Sequence, residues 1–173
     1  LSAHIDHLGI DDSLEGDGIY NGAIDNGSAV AAMMVTAREL KEREGELGCS
    51  VIILACQAEE AGLLGSYHFA GTLEPSGIIA NINYESTPVW EESRDLFALG
   101  AKYTGLEEIM KRVAGGMGLD YSYFSMSDRG FFYRSDQFSF ARRGIPSIWI
   151  SAGEDFTSGR SRIREFFDGD YHT

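Results

Sequence analysis

Along this 173-residue chain the spacing of apolar residues switches several times between a period of two and one of about 3.6. A sequence that does this builds alternating strands and helices. Leu1 to His4 reads as the end of an apolar strand. Asn26 or Ser28 is placed to cap a helix that runs through Ala29–Val35 to about Arg43, with Gly45 stopping it. Ser50 to Cys56 is an unbroken apolar, β-branched run, as expected of a central strand covered on both faces. Glu59 and Glu60 then open a second helix, where acids suit the dipole of the first turn. Further strands are expected over Ile78–Tyr84, Leu96–Gly100 and Ser147–Ile150, and further helices over Gly105–Met117 and Gln137–Arg143. The pattern is irregular and polar over 85–95 and 152–167, which marks loops. The outcome is a three-layer α/β domain. No repeat interrupts it. The chain opens without Met and stops directly after a polar cluster, so a segment trimmed from a larger chain is expected.

Charge narrows the function classes. With 14 Lys and Arg against 27 Asp and Glu the formal charge is −13. Such a surface opposes phosphate contacts and excludes a nucleic-acid binder, while cations suit it. No apolar stretch reaches the roughly 20 residues of a membrane-spanning helix, and the start lacks the basic and apolar regions of a secretory signal. Cys49 and Cys56 fall in one extended run and are not expected to form a disulfide. The 21 glycines call for many tight turns and close backbone approaches.

In an open α/β sheet the binding crevice lies beyond the carboxyl ends of the strands. His4, Asp6 and His7 follow the first strand, Glu59 and Glu60 the second, and Glu85 the third; Asp25 lies in the loop before the first helix and His172 near the chain end. Each has an ordinary reading. His4 could bond its neighbour Asp6, Asp25 could belong to a turn and helix cap, and Glu59-Glu60 could be a solvated pair. Taken together, carboxylates and imidazoles converging from separate strand ends are what a divalent cation requires, since each offers a lone pair and the carboxylates cancel charge.

These residues carry a family resemblance. The segments Ser2–Gly9 (Ser-Ala-His-Ile-Asp-His-Leu-Gly), Asn21–Ser28, Ala58–Ser66, Ala80–Glu85 and Asp170–Thr173, in that order, resemble the metal motifs of the co-catalytic zinc aminopeptidases. That family includes secreted bacterial leucyl-type aminopeptidases, glutamate carboxypeptidase II and animal glutaminyl cyclases. Tyr133–Pro146 resembles the stretch that precedes the last motif.

The resemblance implies an α/β/α sandwich with a mixed, mostly parallel sheet, and one catalytic peptidase domain over residues 1–173 that lacks N- and C-terminal parts. It implies two zinc ions bridged by Asp25, with His4 and Glu85 completing one site and Glu60 and His172 the other. Glu59 would be the general base acting on a water shared by the ions, Asp6 would orient His4, Tyr171 would donate to the oxyanion and Arg134 would touch substrate. The implied activity is removal of N-terminal residues from peptides with a free N-terminus, and a secreted or periplasmic location is the direction relatives suggest. Two departures stand out: the family's fourth motif usually ends in Asp where this chain has Glu85, and the family domain has strands before His4, without which the sheet would keep an exposed edge. Rival readings on the same scaffold are a one-zinc glutaminyl cyclase, a carboxypeptidase with a basic pocket drawn from Arg94, Arg129, Arg134, Arg142 and Arg143, and a silent homologue serving as an interaction domain. His-Glu-x-x-His and Gly-x-Ser-x-Gly are both absent, which disfavours single-helix zinc proteases and serine hydrolases.

Overall fold

In the computed structural model, which describes residues 1–159 and 162–172, the strands are β1 (Ser2–His4), β2 (Gly9–Ile10), β3 (Ile19–Tyr20), β4 (Leu54–Cys56), β5 (Asn81–Tyr84), β6 (Asp95–Leu99), β7 (Asp120–Ser122) and β8 (Ser147–Ala152). The helices are α1 (Ala29–Glu42), α2 (Leu64–Thr72), α3 (Glu107–Gly116), α4 (Gln137–Ala141) and α5 (Ile163–Glu165). Six strands form one sheet in the order β4-β1-β5-β8-β6-β7, and β2 and β3 form a separate hairpin. Only β6 and β8 pair antiparallel within the large sheet; β1–β4, β1–β5, β5–β8 and β6–β7 are parallel. This is the expected mixed, mostly parallel α/β arrangement.

The period of two sorts the side chains onto two faces. On one face Ala3 and Tyr84 meet Ala29 and Met33 of α1, and Ile82, Leu96, Ala98 and Ile148 meet Met110 and Ala114 of α3. On the other, Leu54 and its neighbours meet Ala70 of α2 and Phe140 of α4. Farther along that face Phe97 and Trp149 pack with Phe124, Phe131, Phe156 and Ile163. Phe97 stacks on Phe124 at a ring separation of 4.9 Å and meets Trp149 edge-on at 5.6 Å; such pairs add about 0.5–1.5 kcal/mol beyond burial. Helices on both faces give the three layers.

Several sequence expectations need correction. The run Ser50–Cys56 is not a central strand: only Leu54–Cys56 pairs, at the edge of the sheet, and Val51, Ile52 and Ile53 are exposed. An apolar run alone does not separate a central strand from an edge whose flank is uncovered. The second helix starts at Leu64, not Glu59, so the two acids lie in the turn that precedes it. Neither Asn26 nor Ser28 caps α1 through its side chain; Ser28 Oγ donates to the Ile24 carbonyl at 2.7 Å, and Asn26 points elsewhere. The β2–β3 hairpin and β7 have no counterpart among the expected strands. Cys49 and Cys56 are both free, the first exposed and the second buried. No helix among the described residues is long and apolar enough to cross a membrane.

Parallel pairing has one consequence for function. β1, β4 and β5 are neighbours running the same way, so the segments that leave them emerge on one side of the sheet.

Candidate metal centre

His4 ends β1 and is 1% exposed. Its Nδ1 bonds the main-chain carbonyl of Asp6 at 2.9 Å, while the Asp6 carboxylate stands 3.8 Å away. A carbonyl oxygen only accepts, so Nδ1 holds its proton and Nε2 is turned inward, 2.9 Å from Glu85 Oε1 and 3.2 Å from Asp25 Oδ1. Asp6 thus meets His4 through its backbone rather than its carboxylate.

Glu85 follows β5 and is fixed from behind. Ser135 Oγ donates to its Oε2 at 2.6 Å and Trp149 Nε1 donates to its carbonyl at 3.0 Å. Asn83, two residues earlier on the same face, donates to Ser135 Oγ at 2.9 Å and to Gln137 Oε1 at 3.0 Å. So held, Glu85 places Oε1 2.9 Å from His4 Nε2.

Asp25 lies in the irregular turn Ala23–Ser28, where its backbone leaves the helical region (φ −105°, ψ 93°) and its peptide bond to Asn26 is cis. Asn26 clamps the turn to the end of β5, accepting from Ser86 N at 3.0 Å and donating to the Tyr84 carbonyl at 3.4 Å. Asp25 is thereby held between two imidazoles, with Oδ1 toward His4 and Oδ2 3.5 Å from His172 Nε2.

Glu59 and Glu60 occupy a turn bounded by Ala58 (φ 58°) and Leu63 (φ 62°), both left-handed and neither a glycine. His172 has φ 62° as well. This conformation costs roughly 1–2 kcal/mol per residue and gathers where function over-determines the backbone. Gly65 lets the turn close, because a Cβ there would meet the Gln57 carbonyl oxygen at 2.3 Å. Glu60 Oε2 lies 3.4 Å from His172 Nε2, and its Oε1 lies 2.8 Å from His7 Nδ1. Gly22, at φ +66°, leaves room for that imidazole, since a Cβ would come within 3.1 Å of His7 Cβ.

His7, Asp25, Glu60 and His172 form one group whose donor atoms lie within 4.8 Å of one another, and His4, Glu59 and Glu85 form a second by the same measure. All five expected ligands and Glu59 therefore meet. Like charge and burial dominate here. Burial lowers the His4 pKa, but the neighbouring carboxylates of Asp25 and Glu85 outweigh it and raise it to about 12. Burial and the charge of Glu85 lift Glu59 to about 9. Burial likewise raises Glu85.

The donor set fits zinc. Tetrahedral zinc with bonds of about 2.0–2.1 Å holds its donors roughly 3.3 Å apart, close to the 3.2, 3.4 and 3.5 Å separations of His4–Asp25, His172–Glu60 and His172–Asp25, while His4–Glu85 is shorter at 2.9 Å. The last two are long for hydrogen bonds. His172 Nε2 and Asp25 Oδ1 are buried without a hydrogen-bond partner, an arrangement that costs free energy unless a cation receives the lone pairs. Tyr171 stacks on His172 at 3.8 Å, and burial together with Asp25 pushes its hydroxyl well above the usual phenol range, so it stays a donor at neutral pH. Tyr171 and Arg134 line the inner space with Asp25, Glu59 and Glu85. They also line an outer cavity of about 520 Å3 beside Glu59 and Glu60. Thr173 and the side chain of Asp170, at the ends of the last motif, lie outside the described residues.

Asn26 and Ser135 are site residues with no site role in the sequence reading, and His7 appears there only among the polar residues after the first strand. The sequence marks Asn26 as a candidate helix cap, and nothing local marks Ser135 as a partner of Glu85.

The model of peptidase family M28 matches residues 1–173. Among solved structures the chain is similar to BSAP, a zinc aminopeptidase from Bacillus subtilis, at 26% identity and TM-score 0.59 over 92% of this chain and 36% of that one. A second structure of BSAP matches at 25% identity and TM-score 0.61, over 98% and 42%. An aminopeptidase from Aneurinibacillus sp. strain AM-1 shares the fold at 20% identity and TM-score 0.55, over 94% and 37%. The chain thus spans well under half the length of the solved chains it matches. No curated protein matches the sequence significantly.

Proposed function

The chain belongs to peptidase family M28, and from that premise we propose that it is a zinc-dependent metallo-aminopeptidase, releasing N-terminal residues from peptides with a free N-terminus. The observation that carries this is the meeting of His4, Asp25, Glu60, Glu85 and His172 around Glu59. In this reading His4, Asp25 and Glu85 would hold one zinc ion, and Asp25, Glu60 and His172 would hold the other. Bound there, the ions supply positive charge that polarises the scissile carbonyl and acidifies water. The zinc aminopeptidases among the structural relatives support the metal and the reaction class.

The chain's own groups carry the rest. Glu59 takes the proton from the attacking water and returns it to the leaving amine. The Tyr171 hydroxyl, held protonated, donates to the oxygen that gains negative charge. Asp6 keeps the His4 ring turned so that Nε2 faces inward. The surplus of carboxylates attracts the substrate ammonium, and Arg134, at the junction of the inner space and the outer cavity, contacts the peptide.

The test is turnover of aminoacyl-anilides by the full-length protein before and after chelation. Activity should vanish with chelator and return on adding zinc; undiminished turnover in the metal-stripped protein would refute the proposal.

A further inference from the structure

We infer that the outer cavity beside Glu59 and Glu60 reads a carboxylate on the substrate, bound by Arg142 and Arg134. This rests on the peptidase reading above and adds the substrate class. The chain carries a net charge of −13, and Arg38, Arg43, Arg94 and Arg129 each pair with a carboxylate at 2.7–3.2 Å. Arg134 and Arg142 have no carboxylate partner among the described residues. They meet aromatic rings instead.

The Arg142 guanidinium lies 5.3 Å from the centre of the Tyr67 ring and 5.8 Å from that of Phe138. Arg134 lies 5.6 Å from that of Phe131. A cation–π contact uses none of the N–H donors on a carboxylate, so the guanidinium fork that matches a carboxylate with two parallel hydrogen bonds stays available. Both arginines line the 520 Å3 cavity. The two acids that line it, Glu59 and Glu60, pair with neither arginine among the described residues, and the oxygens of Glu60 already face His7 and His172. Leu63, Tyr67 and Phe138 supply apolar walls, so the complementary group is a short apolar stem ending in negative charge. Two parts of a peptide offer one: an acidic side chain on the N-terminal residue, or the C-terminal carboxylate of a peptide only a few residues long.

The experiment compares kcat/KM of the full-length zinc-loaded protein on two matched pairs, Glu-p-nitroanilide against Gln-p-nitroanilide and Leu-Gly against its C-terminal amide. Charge-assisted hydrogen bonds to a carboxylate predict a preference of about ten- to a hundredfold for the charged member of one pair. The pair that discriminates identifies the source. Arg142→Gln and Arg134→Gln should each pull that ratio toward one, Arg142→Lys should retain part of it, and added salt should erode it in the unmodified protein, a readout that needs no variant. Hydrolysis of both pairs without discrimination overturns this inference alone, as does a ratio unchanged in the glutamine variants. Hydrolysis of none of the four overturns the peptidase reading and this inference with it.

Discussion

Replacing Glu59 by Gln is expected to leave two zinc ions bound and to lower kcat by about 10²–10⁴-fold, the usual contribution of a positioned general base. Gln keeps the size and a hydrogen-bonding oxygen but does not accept a proton at neutral pH. The variant separates two roles that the geometry allows. Glu59 shares its neighbourhood with His4 and Glu85, yet the close approaches linking histidine to carboxylate in this centre run from His4 to Asp25 and Glu85, from His172 to Asp25 and Glu60 and from His7 to Glu60. A proton carrier lost without loss of metal gives low kcat with zinc content intact. Loss of one ion along with activity would make Glu59 a ligand instead, and near-normal turnover would remove it from the reaction.

Asp25→Asn should be the most damaging change to metal binding. Each Asp25 oxygen faces a different histidine, His4 at 3.2 Å and His172 at 3.5 Å, so one substitution withdraws a negative donor from both positions. Changing outer partners of a metal site typically costs 10–100-fold in affinity; a shared ligand should exceed the upper end of about 100-fold for both ions, and hydrolysis should fall with them. The fold should survive. Asp25 is 6% exposed, and Asn keeps its size and a carbonyl oxygen in the same place. Zinc content after dialysis, read beside thermal melting in chelator, distinguishes a folded chain without zinc from an unfolded one. Retention of one tightly held ion would show that Asp25 serves a single position.

Much of this was legible before any coordinates. Alternation of period located most of the strands and helices, and the ordered motifs named His4, Asp25, Glu59, Glu60, Glu85 and His172, which lie together in the structure. What stayed hidden has physical causes. The position of β4 at the sheet edge depends on which strands pair, and an apolar run such as Ser50–Cys56 looks the same whether covered or bare. The acids at 59 and 60 suit a helix start, and only the left-handed backbone at Ala58 and Leu63 shows that they sit in a turn. The support of Glu85 by Ser135, fifty residues away, and the tie between Asn26 and the end of β5 are long-range contacts with no local sign. His7 was visible as a residue but not as a partner, because its bond to Glu60 spans 53 residues.

The decisive measurement is anomalous X-ray scattering at the zinc edge from crystals of the full-length protein, with metal analysis of the same sample. Two zinc ions per chain are expected, one touching His4, Asp25 and Glu85 and the other touching Asp25, Glu60 and His172. A fully active protein with no ion among these side chains, or with its zinc held elsewhere, would contradict the assignment of this centre.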